Sequence, residues 1–258
     1  TESTSLSVRG ITASNGSLSF QASTPTQEEG WTFTPNKDFN NQQGNVEINY
    51  VLDDGSNGYI FATNTLSLIA VNDAPVLSTG NLSNLRVLED SGTTSLGLEG
   101  IGYDQGGGND ENIQSLTYKI TTTPDPTKGS IYYTNQNNER VAVSTDQTFT
   151  DIRDIQSLEF TTNPNAEGNT SFSFSVIDSA NTAGEGELSQ TISISISGVN
   201  DLPIKKTASF NINGAQEDAQ FSISEADLLS AFEDIDVGDQ LKVSSLNAKN
   251  GSLTESID

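Results

Sequence analysis

The sequence predicts an all-β protein of tandem antiparallel β-sandwich modules, one complete and flanked by partial ones. Three observations predict it: apolar residues alternate with small polar ones, turn residues recur at short intervals, and a five-residue boundary segment occurs twice at domain spacing.

The alternation is clearest in Val46-Glu47-Ile48-Asn49-Tyr50-Val51-Leu52 and in Ser171-Phe172-Ser173-Phe174-Ser175-Val176. Every second side chain of a strand faces the same side, so such runs place an apolar face on a core and a Ser/Thr/Asn face in water. Trp31, Phe33, Phe172 and Phe174 fall at this period and are expected in the core. Asn15-Gly16 and Asn250-Gly251, each between apolar runs, predict hairpins, with Lys128-Gly129 as a related turn. A single helix is expected over Ser224 to Phe232, with Ser224 as its N-cap.

The boundary segment is Val71-Asn72-Asp73-Ala74-Pro75, repeated 128 residues on as Val199-Asn200-Asp201-Leu202-Pro203. Each copy ends an alternating strand, and the spacing suits one sandwich. Upstream of each copy, Gly44 to Asp54 parallels Gly168 to Asp178, and Ala13 to Leu18 resembles Ala248 to Leu253. Residues 76–203 therefore read as a complete module, residues 1–75 as the later part of another, and residues 204–258 as the opening part of a further one.

Thirty-five Asp and Glu against eleven Lys and Arg give a formal charge of -24, so polyanions such as nucleic acid and anionic lipid are repelled. Cysteine and histidine are both absent, which removes disulfides, thiolate and imidazole metal ligation, and Ser-His or Cys-His catalysis. Paired carboxylates could in principle cleave glycosides, but nothing in the pattern points to such a pair, and the expectation is no enzyme. No apolar run approaches the roughly 20 residues of a membrane span, so no membrane insertion is expected, with any export signal outside these residues.

The twice-repeated Val-Asn-Asp-(Ala/Leu)-Pro segment after a final strand resembles the inter-repeat linker of cadherins and of bacterial cadherin-like repeats in large secreted, RTX-type adhesins. The middle module also resembles chondroitin sulfate proteoglycan (CSPG/NG2-type) repeats in Leu116-Thr117-Tyr118-Lys119-Ile120, Lys128-Gly129-Ser130-Ile131 and Phe149 to Ile155. Two departures stand out. Ala70 and Gly198 occupy the position where cadherins carry an Asp before the linker Asn, and the cadherin Asp-Arg-Glu segment has no clear match.

The resemblance implies Ca2+ at two junctions. Asn72 and Asp73 of the linker, Asp104 and Asp110 of the glycine-rich loop, and Asp178 of a late hairpin would form the first; Asn200, Asp201, Asp234 and Asp236, with Glu89 from above, would form the second. Glu89 and Glu217 each lie 16 residues after a linker Asp, in the manner of the early cadherin Glu. Each acid also has a plain alternative role in turn chemistry, bonding nearby backbone amides. The implied function is a calcium-rigidified extracellular spacer or adhesion repeat of a bacterial surface or secreted protein, its partners being neighbouring repeats. The alternative is a module that binds polysaccharide or a like module on another chain.

Overall fold

The computed structural model describes residues 6–24, 26–182, 185–207 and 211–254. The fold is all-β, with several antiparallel sheets and two five-residue helices among the described residues.

The core lies between two sheets of the middle segment. One sheet carries β7 (Leu85–Leu88), β10 (Leu116–Thr122), β13 (Thr148–Phe149), β15 (Gly168–Thr182) and β16 (Glu185–Ser197), in the order β13-β10-β15-β16-β7. The other carries β8 (Thr93–Ser95), β11 (Gly129–Thr134), β12 (Arg140–Ala142) and β14 (Glu159–Thr162), in the order β12-β11-β14-β8. The alternating residues behave as the sequence predicts. Phe172, Phe174 and Val176 of β15 and Ile192 and Ile194 of β16 are all 0% exposed. They meet Ile131 and Phe160 of the facing sheet in one continuous cluster. Each such side chain contributes roughly 1.5–3 kcal/mol by leaving water, which is why this segment holds the stable core.

All these strands pair antiparallel except β7, which runs parallel to β16 with Leu85 opposite Ile194 and Leu88 opposite Ser197. Between β13 and β14 the chain forms helix α1 (Ile152–Gln156), capped by the Asp151 carboxylate accepting from the Arg153 amide. The sequence reading expected a single helix and missed this one. Five residues are too few to show a helical period, and Ile152 and Ile155 read equally well as strand residues.

Ahead of the core, β1 (Ser7–Ala13), β4 (Val46–Asp53) and β5 (Tyr59–Leu66) form a sheet in the order β1-β4-β5, and β2 (Gly16–Gln21) pairs with β3 (Gly30–Pro35). Gly10, at φ +58, supplies the bulge where β1 slips register on β4 between Arg9 and Thr12. Little is buried here: Val46 is fully buried, while Trp31 is 40% exposed and packs edge-on against Phe20. The core expectation for Trp31 is thus corrected, because no second apolar layer covers it among the described residues.

The hairpin expectation is corrected too. Asn15, at φ 54, does turn the chain, but β1 pairs with β4 and β2 with β3, so Asn15-Gly16 is a crossover between sheets. Gly129 likewise leads from β10 in one sheet to β11 in the other. A left-handed residue permits a sharp turn; which strands then pair is decided by the faces they bury. No strand flanks Asn250-Gly251 among the described residues.

Before and after the core, two short pairs match in position: β6 (Val76–Thr79) with β9 (Gly102–Asp104), and β17 (Ile204–Lys205) with β18 (Phe232–Glu233). Each starts directly after its linker. Helix α2 (Glu225–Leu229) forms where expected, with Ser224 and Asp227 in a capping box. No helix among the described residues is long and apolar enough to cross a membrane.

Candidate metal centre

Each linker is held by carboxylates through its backbone amides, and the two junctions repeat one contact. The Asp73 amide donates to Glu111 Oε1 at 2.7 Å, and the Asp201 amide donates to Asp236 Oδ2 at 2.6 Å. In both, an acid of the loop following β9 or β18 grips the Asp of the preceding linker.

At the first junction Asn72 is a bridge. Its Oδ1 accepts from Gln114 Nε2 at 2.8 Å, and its Nδ2 donates to Asp178 Oδ2 at 3.1 Å. Asp178, 3% exposed, also accepts the Ala180 amide at 2.8 Å. Glu111 is 1% exposed. Burial pushes its carboxyl above the ordinary range; the hydrogen bond from Asp73 opposes this, and the negative charges of Asp73, Asp110 and Asp178 add to it. Glu111 Oε2, Asp110 Oδ1 and Gln114 Oε1 are buried oxygens without a hydrogen-bond partner.

Gly107 makes this packing possible. At φ +41, a Cβ there would lie 2.7 Å from Glu111 Oε2 and 2.9 Å from Asp73 Oδ2. Beside these acids an open cleft of about 260 Å³ is lined by Asp38, Phe39, Leu68, Val71, Asp73 and Asp110. Asp104 stands exposed at the end of β9, paired opposite Val76.

At the second junction Glu89, 4% exposed, accepts the Val199 amide at 2.6 Å. Asp234 Oδ1 accepts the Asp236 amide at 3.1 Å, and the Asn200 side chain donates to the carbonyl of Asp201. Glu89, Asp201 and Asp236 can each bring one oxygen within 4.8 Å of the others, as can Asp234, Asp236 and Asp239. Asp236 belongs to both groups. Asp201 Oδ2 is buried without a partner, and the Asp201 carboxyl is pushed up by burial and then by Asp90, Asp236, Glu89 and Asp234.

The donors of the second junction fit a hard cation. Oxygens that lie within 4.8 Å of one another can share one ion at the roughly 2.3–2.6 Å typical of calcium. The sets hold no nitrogen or sulfur ligand, as suits calcium or magnesium and not zinc. Among the described residues no ion pair includes any of these acids, so no lysine or arginine neutralises them directly. The structure thus gathers Asn72, Asp73, Asp110 and Asp178 in one neighbourhood, and Glu89, Asp201, Asp234 and Asp236 in another. Glu111, Gln114, Asp90 and Asp239 were not among the residues picked from the sequence. The adjacent pair Asp110-Glu111 and the run Asp234-Ile235-Asp236-Val237-Gly238-Asp239 were the available signals for two of them.

The chain is all-β, and acidic side chains grip the backbone amides of both Asn-Asp segments. Residues 199–258 match the family model of the cadherin-like domain. No curated protein matches the chain. Among solved structures, it is similar to extracellular cadherin domains 1–4 of protocadherin gamma B7 at 16% identity and a TM-score of 0.34, covering 80% of this chain and 46% of that one. Human mucin-like protocadherin EC1-2 is similar at 14% identity and a TM-score of 0.26, over 72% of this chain and 86% of that one. The C-terminal domain of the Streptococcus agalactiae AgI/II polypeptide BspA is similar at 12% identity and a TM-score of 0.19, over 74% and 80%. The chain spans less than half the length of the gamma B7 structure.

Proposed function

We propose that this chain is a calcium-stiffened spacer or adhesion repeat of an extracellular bacterial protein, with modules bounded at its two Asn-Asp linkers and no catalytic role. The observation that carries the reading is the grouping of Glu89, Asp201 and Asp236 across the second linker, with Asp201 Oδ2 buried and unpartnered. Glu89 comes from the core sandwich, Asp201 from the linker, and Asp236 from the segment beyond. A cation bound by all three ties the two sides together. Without it, buried carboxylates of like charge repel and favour an opened linker.

At the first junction Asp73, Asp110, Glu111 and Asp178 supply the acids, and Asn72 and Gln114 the amide oxygens. The paired amides at Asn72 already tie linker to loop, so this junction depends less on the ion than the second. The mechanism is mechanical: ion binding narrows the range of interdomain angles and extends the array. Small-angle scattering in chelator and in millimolar calcium tests it. The expected result is a longer maximum dimension and a higher Tm with calcium; equal dimensions and equal Tm in both buffers exclude the stiffening role.

A further inference from the structure

β7 is the first strand of the two core sheets and β16 the last, and the two run parallel at the edge of one sheet. β16 is the neighbour that the sheet gives β7. Leu85–Leu88 lies against Ile194–Ser197 without a break in register. Further bonds extend the contact at both ends. Ahead of it, Asn84 Oδ1 accepts from the Ser193 amide at 3.1 Å. Beyond it, the Glu89 amide donates to the Ser197 carbonyl at 3.0 Å, and Glu89 Oε1 accepts from the Val199 amide at 2.6 Å.

The two linkers meet the core at opposite ends of β16. Asn72 is bound to Asp178, next to Ile177, which pairs with Glu187 near the start of the strand, whereas Val199 is bound to Glu89 just past its end. The strand from Glu187 to Ile196 separates these ends by roughly 30 Å. Tension applied through the linkers therefore draws β7 back toward Asn72 and β16 forward past Val199, along one axis in opposite directions. The bonds between parallel strands are evenly spaced along that axis, so they share the load and give way together. β6, which lies between the first linker and β7, is a weaker hold: its pairing with β9 is short and slips register between Leu77 and Thr79.

We propose that the β7-β16 pair is a load-bearing clamp, which keeps the core folded when its two linkers are pulled apart. The clamp is directional. Pulled from one end only, the same bonds open one after another, each carrying the whole load in turn. It needs no ion, since every contact named here joins two protein groups. It rests on the spacer reading in one respect, that tension reaches the core through the linkers.

The chain has no cysteine, so pulling handles can be attached at chosen pairs of positions on the full chain. Ile69→Cys with Leu202→Cys, at 85% and 81% exposed positions, loads the clamp end to end and leaves residues 1–68 and 203–258 out of the force path. Ser91→Cys with Leu202→Cys pulls β7 and β16 from their shared end. In optical-tweezers pulling in chelator at one loading rate, the first geometry is expected to rupture at a force about twofold higher or more, because forced unfolding follows the unfolding barrier. That rupture should release a contour on the order of 400 Å, the extended length of Leu85 to Ser197. Asn84→Ala is expected to lower the first force and leave the second unchanged, since its bond to Ser193 is the last one reached when the strands are peeled from the Glu89 end. Equal forces in the two geometries, a main rupture that releases far less than the core, or an effect of Asn84→Ala that is absent or equal in both would overturn the proposal. Calcium-dependent dimensions report the spacer reading separately, as the pulling is done without the ion.

Discussion

The backbone amide of Asp73 donates to the carboxylate of Glu111, a residue 1% exposed, and that bond fixes the first linker on the glycine-rich loop. The other oxygen of Glu111 has no partner. One residue therefore both holds the linker and presents an unmet acceptor beside three further acids.

Replacing Glu111 by Gln keeps an acceptor for Asp73 and removes one negative charge. In chelator the variant is expected to melt a few degrees higher than the parent, on the order of 2–4 °C, as buried repulsion is relieved. Its calcium-induced rise in Tm should be smaller than the parent's. Differential scanning calorimetry in both buffers measures the two effects; an unchanged calcium response would remove Glu111 from the site.

Asp236 is the member common to both acidic groups of the second junction. Asp236→Asn is expected to weaken calcium binding at least tenfold by isothermal titration, because it lowers ligand charge in both groups at once. Asp239→Asn, which touches only one group, should cost less. Equal effects would contradict the shared role of Asp236.

Gly107→Ala places a methyl against Glu111 Oε2 and Asp73 Oδ2 on a backbone at φ +41. The loop must shift, and the first junction should lose calcium affinity while the core sandwich keeps its far-UV circular dichroism. Chelator-matched titrations of Gly107→Ala and Gly92→Ala separate this from backbone strain alone, since a Cβ at Gly92 meets nothing.

The core and the leading sheet should respond differently to truncation. Phe172→Ala removes a 0% exposed ring and is expected to cost about 3–5 kcal/mol in urea unfolding. Trp31→Ala, at a 40% exposed ring, should cost less than about 1 kcal/mol. Similar losses would mean that Trp31 is covered in solution.

Asp151 caps α1 and is held down to about 2 by the Arg153 guanidinium and then by the Arg153 amide. Its folded pKa is depressed, so its contribution is complete above the ordinary carboxylate range near pH 4 and is lost as pH falls through 2. Asp151→Asn is expected to lower Tm at pH 7 by roughly 2–4 °C and to show a smaller loss than the parent between pH 4 and 2. A parent-like slope in that window would assign the acid sensitivity elsewhere.

Much of the fold was legible because the signals are local. Alternation in β4 and β15 follows from burial of one face, and the capping box of α2 is readable from Ser224 and Asp227. The two Asn-Asp segments stood out by repetition. Glu111 and Gln114 did not, because a buried acid in a polar loop looks like any solvated one until packing is known. Asn15-Gly16 was misread for a related reason: the turn is local, whereas the pairing partner is chosen across the molecule.

The sequence by itself determined the all-β class and the absence of thiol and imidazole side chains, since each depends on residue identity and near-neighbour spacing. Tertiary structure alone decided which acids meet. Glu89 and Asp201 are more than a hundred residues apart in the chain, and only the parallel pairing of β7 with β16 brings the first to the linker that carries the second.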